Sequence, residues 1–197
     1  MKKFTILLFL FNVLLFSNES LAQNNTNDQK YIYKQGDYNG IGKWYMGREI
    51  AYVMGFEGIG WLERSEREKE ENVSKLIQNM VIKPNDTIAD IGAGSGYHVF
   101  RMAPIAKKGM VYAVDIQPEM LMAIENSKET SKIKNIETIL SSEKSVYLPK
   151  NSVDKILMVD VYHEFSFPKE MITSIKSALK PKGELFLIEY RAEDPNV

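Results

Sequence analysis

The segment Asp90-Ile91-Gly92-Ala93-Gly94-Ser95-Gly96 decides the predicted fold of this 197-residue chain. Its first two residues end a short apolar strand predicted over Thr87–Ile91, and its last glycine opens a helix predicted over residues 96–106. Glycine lets the backbone pass close to a ligand, and the free amides at a helix start face the same place. The segment therefore predicts a ligand-binding loop between a strand and a helix.

Further along the chain, predicted strands alternate with predicted helices. The strands cover Met110–Asp115, Ile136–Leu140, residues 155–161 and residues 185–190. One helix starts at Pro118, and another carries an apolar face over residues 171–179 and ends at Pro181-Lys182-Gly183. This alternation predicts an α/β fold with a doubly wound, Rossmann-like parallel sheet, which binds its ligand beyond the carboxyl ends of the strands.

The pattern upstream of the glycine loop is different. Five apolar residues are predicted to share one face of a helix that carries glutamates in its first part. The five are Leu62, Val73, Leu76, Ile77 and Met80. Over residues 31–64 aromatic residues alternate with glycines, which indicates loop and short helix rather than a regular element. We expect Trp44, Tyr45 and Trp61 mainly to pack over one end of the sheet.

A carboxylate stands at the end of the second predicted strand. Asp115 follows Gly96 by 19 residues, a spacing at which an acid reaches the ribose of a bound nucleotide. A carboxylate can accept a hydrogen bond from each of the two ribose hydroxyl groups. Because a helix is predicted from Pro118, the other interpretation of Asp115 is a helix cap.

Two classes of cofactor use a glycine loop of this kind. In the dinucleotide fingerprint G-x-G-x-x-G the third glycine would stand at position 97, which is occupied by Tyr97. The pattern is instead D-x-G-x-G-x-G, with Asp90 before the first glycine. An acid there would repel a pyrophosphate, whereas it would not repel the cationic amino-acid end of S-adenosylmethionine.

The glycine loop, Asp115 and the segment Asp160-Val161-Tyr162-His163-Glu164-Phe165 together resemble the class I S-adenosylmethionine-dependent methyltransferases. The lead-in segments over residues 44–49 and 61–68 are similar to those of small bacterial methyltransferase-domain proteins. The resemblance covers the chain from about Gly40 to its end. It implies methyl transfer by in-line displacement at the sulfonium, and a sheet with strand order 3-2-1-4-5.

The resemblance also implies roles for nine residues in cofactor binding. Gly92, Gly94 and Gly96 would wrap the methionine moiety, with Asp90 nearby. Asp115 would hold the ribose, and Ile116 would pack on the adenine. Ser142 or Glu143 would meet the adenine amino group, and Asp160 would lie near the methionine end or the transferred methyl.

Catalytic groups are expected in the segment that follows the fourth strand. A base helps only if the acceptor nucleophile is protonated, and His163 with Glu164 would then supply it. The alternative is that both side chains only hydrogen-bond the loop. The ends of the fourth and fifth predicted strands form an acidic rim, which favours a neutral or cationic acceptor. The acceptor, a small molecule or another kind, is not identified by the sequence. The acids of the rim are Asp160, Glu164, Glu189, Glu193 and Asp194.

The composition of the chain excludes several kinds of site and gives no sign of others. The net charge is −1, and no basic block predicts nucleic-acid binding. The absence of cysteine excludes a disulfide framework, a thiolate zinc site and a cysteine nucleophile. Two histidines leave little for a metal cage, and the expected chemistry requires no metal.

The N-terminus predicts export. Lys2 and Lys3 precede an apolar run of 13 residues, which is shorter than the roughly 20 that a membrane-spanning helix needs. Ser20-Leu21-Ala22 then suits signal peptidase, so cleavage is expected before Gln23 and the mature protein is expected in the periplasm or outside the cell. An uncleaved anchor and a first helix of the domain are the alternatives.

The predicted organisation is a signal peptide over residues 1–22, a tail and lead-in over 23–64, and a methyltransferase domain over 65–197. The sixth and seventh strands of the resembling fold do not follow the fifth predicted strand. A fragment is therefore expected, because the fifth strand would otherwise be an exposed edge. A non-catalytic exported binding module and a nicotinamide-dependent oxidoreductase remain as alternative functions.

Overall fold

The computed structural model describes residues 31–190. The predicted signal peptide, its cleavage site, and the rim acids Glu193 and Asp194 lie outside the described residues. Within the described part, no helix is both long enough and apolar enough to span a membrane.

Strands and helices follow one another along the described chain. The strands are β1 Ile32–Tyr33, β2 Gly40–Tyr45, β3 Arg48–Ala51, β4 Thr87–Ile91, β5 Met110–Asp115, β6 Ile136–Leu140, β7 Val153–Val159 and β8 Leu179–Ile188. The helices are α1 Ile59–Leu62, α2 Arg67–Glu71, α3 Val73–Asn79, α4 Val99–Met102, α5 Pro118–Ser131 and α6 Pro168–Ala178. Short 3₁₀ helices cover Phe56–Gly58 and Tyr162–Glu164.

The strands from β4 to β8 form one parallel sheet in the order β6-β5-β4-β7-β8. Counted from the first strand of this sheet, the order is 3-2-1-4-5, as the resemblance implied. The chain runs outward from β4 through β5 and β6, and it then returns to the other side of β4 with β7. Strand order therefore reverses beside β4, and a sheet of this kind binds its ligand at the carboxyl ends next to that reversal.

Two apolar layers hold helices against the two faces of the sheet. On β4, Ile88 belongs to the layer that contains Ile124 of α5, whereas Ala89 belongs to the layer that contains Ile175 of α6. All four side chains are fully buried. Burying one isoleucine contributes about 1.5–3 kcal/mol, so a shift of β4 along the sheet is unfavourable. The carboxyl end of β4, where the glycine loop begins, is therefore held in place from both faces.

The prediction of loop over residues 31–64 is wrong for its first half. Strands β1, β2 and β3 form a small antiparallel sheet. The connection between β2 and β3 is Met46-Gly47, with φ values of 51° and 83°. Two positive φ angles suit a tight hairpin turn, but Met46 is not a residue that signals one. The glycines among the aromatic residues of this segment suggested loop, and short strands of this kind are stabilised by pairing with their neighbours more than by their own propensity.

The prediction of one continuous helix through residues 62–80 is also wrong. The segment contains α1, α2 and α3, and Asn72 between the last two has φ 51° and ψ 48°. This left-handed conformation interrupts the helical hydrogen bonds and turns the chain, which asparagine tolerates better than most residues. The apolar residues share a buried side without sharing a helix.

Two further boundaries differ from those predicted. Helix α4 covers only four residues, because Pro104 has no N–H to donate to the carbonyl of Phe100. Strand β8 begins at Leu179 and runs through Pro181, where the end of the preceding helix was predicted. Proline is tolerated there because β8 is the edge strand of the described sheet.

Candidate functional site

A cavity of about 300 Å³ lies at the carboxyl ends of β4, β5 and β7. That volume falls at the lower end of the range for small-molecule sites. Ten of the eleven residues predicted for the site line this cavity: Asp90, Gly92, Gly94, Asp115, Ile116, Ser142, Glu143, Asp160, His163 and Glu164. The tertiary structure thus brings together residues from four separate loops.

Gly96 is the exception, because it is not among the residues that line the cavity. Its φ is +84°, and an added Cβ would lie 2.9 Å from Cε2 of Phe100 and 3.0 Å from Cγ1 of Ile124. Glycine is therefore required here by the tight turn of the loop against α5 and Phe100, whatever its distance from a cofactor. Its role in cofactor binding stays a prediction.

Asp115 fastens the glycine loop to β5. Its Oδ2 accepts a hydrogen bond of 2.9 Å from the backbone N–H of Gly94, and its Oδ1 accepts one of 2.9 Å from that of Gln117. Burial raises the pKa of this carboxyl group, although the backbone hydrogen bonds oppose that shift. No side chain caps α5, so the helix-cap interpretation is not seen in the structure. Each oxygen retains a second lone pair, which is free for a ligand.

The glycine between those contacts has no room for a side chain. Gly94 has φ +53°, and a Cβ there would lie 2.6 Å from Cδ1 of Leu62 in α1. Leu62 of the lead-in segment thus packs against the glycine loop. From the sequence, the aromatic residues of this segment were expected only to cover one end of the sheet.

One side of the cavity is formed by Ile116 and the loop after β6. Ile116 is 38% exposed and contributes apolar surface to the cavity. The backbone N–H of Ser141 bonds the carbonyl of Asp115 at 2.8 Å, and that of Ser142 bonds the carbonyl of Ser145 at 2.9 Å. These bonds hold Ser142 and Glu143 beside Ile116 on the cavity wall.

Asp160 follows β7 in a left-handed conformation, with φ 49°. Burial, followed by the nearby carboxylate of Glu189, raises its pKa to about 6. The turn directs the chain into the 3₁₀ helix Tyr162–Glu164, which presents His163 to the same cavity.

His163 is held by a residue from another strand. Its Nδ1 lies 2.7 Å from Oε2 of Glu189, whose Oε1 accepts a 2.8 Å hydrogen bond from the backbone N–H of Tyr162. The hydrogen bond to Glu189 raises the pKa of His163, and burial only partly offsets it. Glu189 was predicted only as one acid of an acidic rim, and its pairing with His163 was not predicted. The only sign of it in the sequence is an acid at the end of a predicted strand.

Glu164 has a structural partner that was not anticipated. Its Oε1 accepts a 3.1 Å hydrogen bond from the backbone N–H of Met54, while Nε2 of His163 is 3.9 Å away. The carbonyl of Met54 in turn accepts a 3.0 Å hydrogen bond from Nε2 of Gln117. Glu164 therefore fixes the strap over residues 52–58 between β3 and α1, whose Val53 and Met54 line the cavity. Trp61 of α1 lines it as well.

Two residues of the cavity had no predicted role in the site. His98 is 5% exposed and lines the cavity together with Arg67. No local pattern identified them, because α2 and the residue before α4 approach each other only in the folded chain.

Within residues 31–190, one group of side chains is compact enough to hold a metal ion. Single ligand atoms of Asp160, His163 and Glu189 all lie within 4.8 Å of one another. The predicted chemistry requires no metal. Because this cluster could bind one, removal of metal ions from the protein would test that prediction.

Comparisons with known proteins all find similarity to methyltransferases. A family model described as a methyltransferase domain matches residues 82–196. The chain is 28% identical over 125 residues to the ubiquinone/menaquinone biosynthesis C-methyltransferase of Wigglesworthia glossinidia brevipalpis, covering 60% of this chain and 50% of that protein. It is 28% identical over 115 residues to the protein-L-isoaspartate O-methyltransferase of Pyrococcus horikoshii, covering 58% and 49%. The chain spans about half the length of these two relatives.

A solved structure extends the likeness upstream. The crystal structure of an S-adenosylmethionine-dependent methyltransferase from Aquifex aeolicus matches with a TM-score of 0.69 and 28% identity. The match covers 74% of this chain and 78% of that one. The names of the two relatives give different substrates, while all three proteins are named as methyltransferases.

Proposed function

This chain belongs to the methyltransferase domain family, and from that membership we propose that it transfers the methyl group of S-adenosylmethionine to an acceptor in the cavity at the carboxyl ends of β4, β5 and β7. One observation carries the proposal: Asp90, Asp115 and Asp160 line the same cavity as the glycine loop. Export through the leader over residues 1–22 is part of the same proposal.

The residues present fit this cofactor. The Oδ2 of Asp90 is buried without a hydrogen-bond partner, as is suitable for a cationic group of a ligand. Asp115 would hold the ribose hydroxyls through its remaining lone pairs, and Ile116 would cover one face of the adenine. Ser142 and Glu143 stand where the adenine amino group would find an acceptor.

S-adenosylmethionine supplies an already activated methyl group when bound, so the main task of the protein is to align a nucleophile with the C–S bond. Asp160 closes the cavity beside the place of transfer. Met54 of the strap and Trp61 of α1 would limit the access of water to it.

His163 would act on an acceptor whose nucleophile carries a proton. With Nδ1–H donated to Glu189, Nε2 is left as the proton acceptor, and it belongs to a side chain on the cavity wall. The charge that His163 gains is stabilised by Glu189, whose own pKa is lowered overall because the hydrogen bond and charge of His163 outweigh burial. This arrangement favours an enzyme over a non-catalytic binding module, which has no use for an oriented imidazole.

The cavity also indicates the class of acceptor. Phe165, Met171 and Trp61 contribute apolar surface, while Asp160 and Glu164 contribute carboxyl groups. We propose a neutral or cationic acceptor with an apolar body and a hydroxyl or amine nucleophile. Tyr97 disfavours the nicotinamide alternative, because it occupies the position of the third glycine of the dinucleotide fingerprint.

Calorimetric titration of the purified chain with S-adenosylmethionine and with NAD tests the proposal. Saturable binding of S-adenosylmethionine at one site, and none of NAD, is expected. Binding of NAD alone would replace the proposal with the oxidoreductase. Incubation with a panel of apolar alcohols and amines, followed by mass spectrometry for a gain of one methyl group, separates an enzyme from a binding module.

A further inference from the structure

A second, smaller cavity of about 120 Å³ lies at the carboxyl ends of β7 and β8. It shares part of its lining with the first cavity, and the shared residues are His98, Val159, Asp160 and Tyr190. Asp160 therefore borders both the space proposed for the cofactor and this second space. A ligand in the second cavity would meet the first at Asp160, beside the proposed place of methyl transfer.

The lining of the second cavity combines apolar and acidic side chains. The apolar ones are Val73, Leu76, Val159 and Ile188, and the acidic ones are Glu70, Glu71, Asp160 and Glu189. Within residues 31–190, no lysine or arginine belongs to this lining. An anionic ligand would be repelled here, whereas a small cation with a short apolar body suits both the size and the charge of the cavity.

Three of the four acids already have a partner that can carry a positive charge. Glu70 and Glu71 each form an ion pair of 2.8 Å with Arg64, and Glu189 pairs with His163. Asp160 forms no ion pair with a lysine or an arginine of residues 31–190. Burial, and then the carboxylate of Glu189, raise its pKa, so a positive charge that enters beside Asp160 would be stabilised.

A buried ring in the shared lining also lacks a partner. Nε2 of His98, whose side chain is 5% exposed, makes no hydrogen bond within residues 31–190. Native proteins rarely bury such an atom unless a ligand or a water molecule pairs with it. Burial, and then the charges of Arg67 and Arg101, lower the pKa of His98 to about 3, so the ring is neutral and does not repel a cation. A cationic ligand beside the shared lining is compatible with both His98 and Asp160.

We propose that the methyl acceptor is a small alkylamine, which occupies the second cavity with its nitrogen at Asp160. The inference rests on the proposed function and narrows its class of acceptors to amines. The ammonium form of the ligand would donate a hydrogen bond to Asp160 and then give one proton to His163. A ring nitrogen of His163 lies within 4.8 Å of a carboxylate oxygen of Asp160, so one ligand nitrogen can reach both groups.

The transfer to such an acceptor is balanced. The lone pair of the neutral amine nitrogen attacks the methyl carbon of S-adenosylmethionine, the C–S bond breaks, and its electron pair stays on sulfur. The products are S-adenosylhomocysteine and an N-methylammonium ion, while the proton taken up by His163 passes to solvent. An alcohol enters without a charge, so it gains no comparable attraction at Asp160.

Calorimetric titrations of the chain saturated with S-adenosylhomocysteine, in a buffer that contains EDTA, test the inference with probes of matched length. Pentylamine is cationic at neutral pH, 1-pentanol is neutral and pentanoate is anionic. We expect pentylamine to bind at least about tenfold more tightly than 1-pentanol, because only the amine forms a charge-assisted hydrogen bond with Asp160. Pentanoate should bind most weakly of the three. Asp160→Asn should remove the preference for the amine over the alcohol.

Two adjacent residues of β8 supply a matched pair of variants. Ile188 is 39% exposed and lines the second cavity, whereas Leu187 is 45% exposed and lines neither cavity. Ile188→Trp should fill the second cavity and weaken the binding of pentylamine by about tenfold or more. Leu187→Trp should leave that binding unchanged, and both variants should keep their affinity for S-adenosylhomocysteine. Equal effects of the two substitutions on pentylamine would overturn the inference.

The remaining outcomes separate the inference from the proposed function. Incubation with S-adenosylmethionine and pentylamine should yield N-methylpentylamine, which mass spectrometry detects. Absence of that product, equal binding of amine and alcohol by the wild type, or an unchanged preference in Asp160→Asn overturns the inference and leaves the proposed function standing. Failure of the wild type to bind S-adenosylhomocysteine removes the proposed function, and the inference with it.

Discussion

The imidazole of His163 and the carboxylate of Glu189 form a 2.7 Å hydrogen bond between residues 26 positions apart, at the ends of neighbouring parallel strands. The other oxygen of Glu189 holds the backbone of Tyr162, so the carboxylate fixes both the ring and the turn that carries it. Such a pair selects one tautomer of the histidine and stabilises its protonated form. It therefore has the geometry of an oriented general base.

Replacement of this histidine tests the base directly. We expect His163→Ala to lower turnover by roughly 10²–10⁴ while the affinity for S-adenosylhomocysteine changes little. Steady-state kinetics and calorimetry on the same preparation measure the two effects. If a stable His163→Ala protein keeps full turnover, alignment alone drives the transfer. A loss of turnover that only follows the loss of folded protein would make His163 a loop tether.

The acidic limb of the pH profile should depend on Glu189. The hydrogen bond from Glu189 raises the pKa of His163, and a base must be neutral to work, so turnover falls as the pH drops through that raised pKa. Glu189→Gln should lower the pKa of His163 and move the acidic limb to lower pH. Asp160, with a pKa of about 6, and Glu164 also face the imidazole and contribute to the limb that remains. Glu184→Gln, a change to an exposed acid on the same strand, is the control and should leave the limb in place.

Asp115 should contribute both to binding and to stability. Asp115→Ala removes a carboxylate that would accept ribose hydrogen bonds and that accepts the N–H groups of Gly94 and Gln117. We expect cofactor affinity to fall at least about tenfold, and the free energy of unfolding to fall by about 1–3 kcal/mol, with the fold retained. Calorimetry and urea unfolding measure the two quantities. Unchanged affinity would show that the glycine loop is only a turn.

His98 should make the protein sensitive to acid. Its pKa is lowered to about 3 in the fold, so between about pH 6.5 and 3 the unfolded chain binds a proton that the folded chain does not. Stability should therefore fall as the pH drops through this window, by up to about 1.4 kcal/mol per pH unit from this group. Urea unfolding of the wild type and of His98→Leu between pH 7 and 4 isolates the effect. Parallel pH dependences of the two proteins would contradict it.

Methyl transfer should not depend on a divalent metal. The cluster of Asp160, His163 and Glu189 is compact, but the hydrogen bond between His163 and Glu189 already uses two of its ligand atoms. We expect turnover to survive dialysis against EDTA. A loss of turnover that added Mg²⁺ or Mn²⁺ restores would instead make this cluster a metal site.

The residues that local sequence predicted best are those whose role is set by their immediate neighbours. A buried apolar run followed by Asp90, Gly92 and Gly94 specifies a strand, a tight loop and a ligand at the loop, and β5 and β6 begin and end where they were predicted. Their carboxyl ends meet because parallel strands linked by crossovers share one direction. Local pattern therefore sufficed for the parallel sheet and for the loop at the carboxyl end of its first strand.

Local pattern failed in the segment that precedes the glycine loop. The strands β1, β2 and β3 are short, so their ladder depends on the pairing of neighbouring strands more than on the propensity of each. The left-handed Asn72 divides α2 from α3 although the apolar spacing on both sides suits one helix.

The amino-acid sequence by itself determined that this chain builds a parallel α/β sheet with a cofactor loop after its first strand, because strand, turn and helix signals lie within a few residues of one another. Only the tertiary structure decided which side chains work together. His163 meets Glu189 through the adjacency of β7 and β8, and Arg67 meets His98 through the fold of the lead-in over the glycine loop. Both pairings join charged or polar groups from separate segments, and their energies depend on a burial that exists only once those segments have packed.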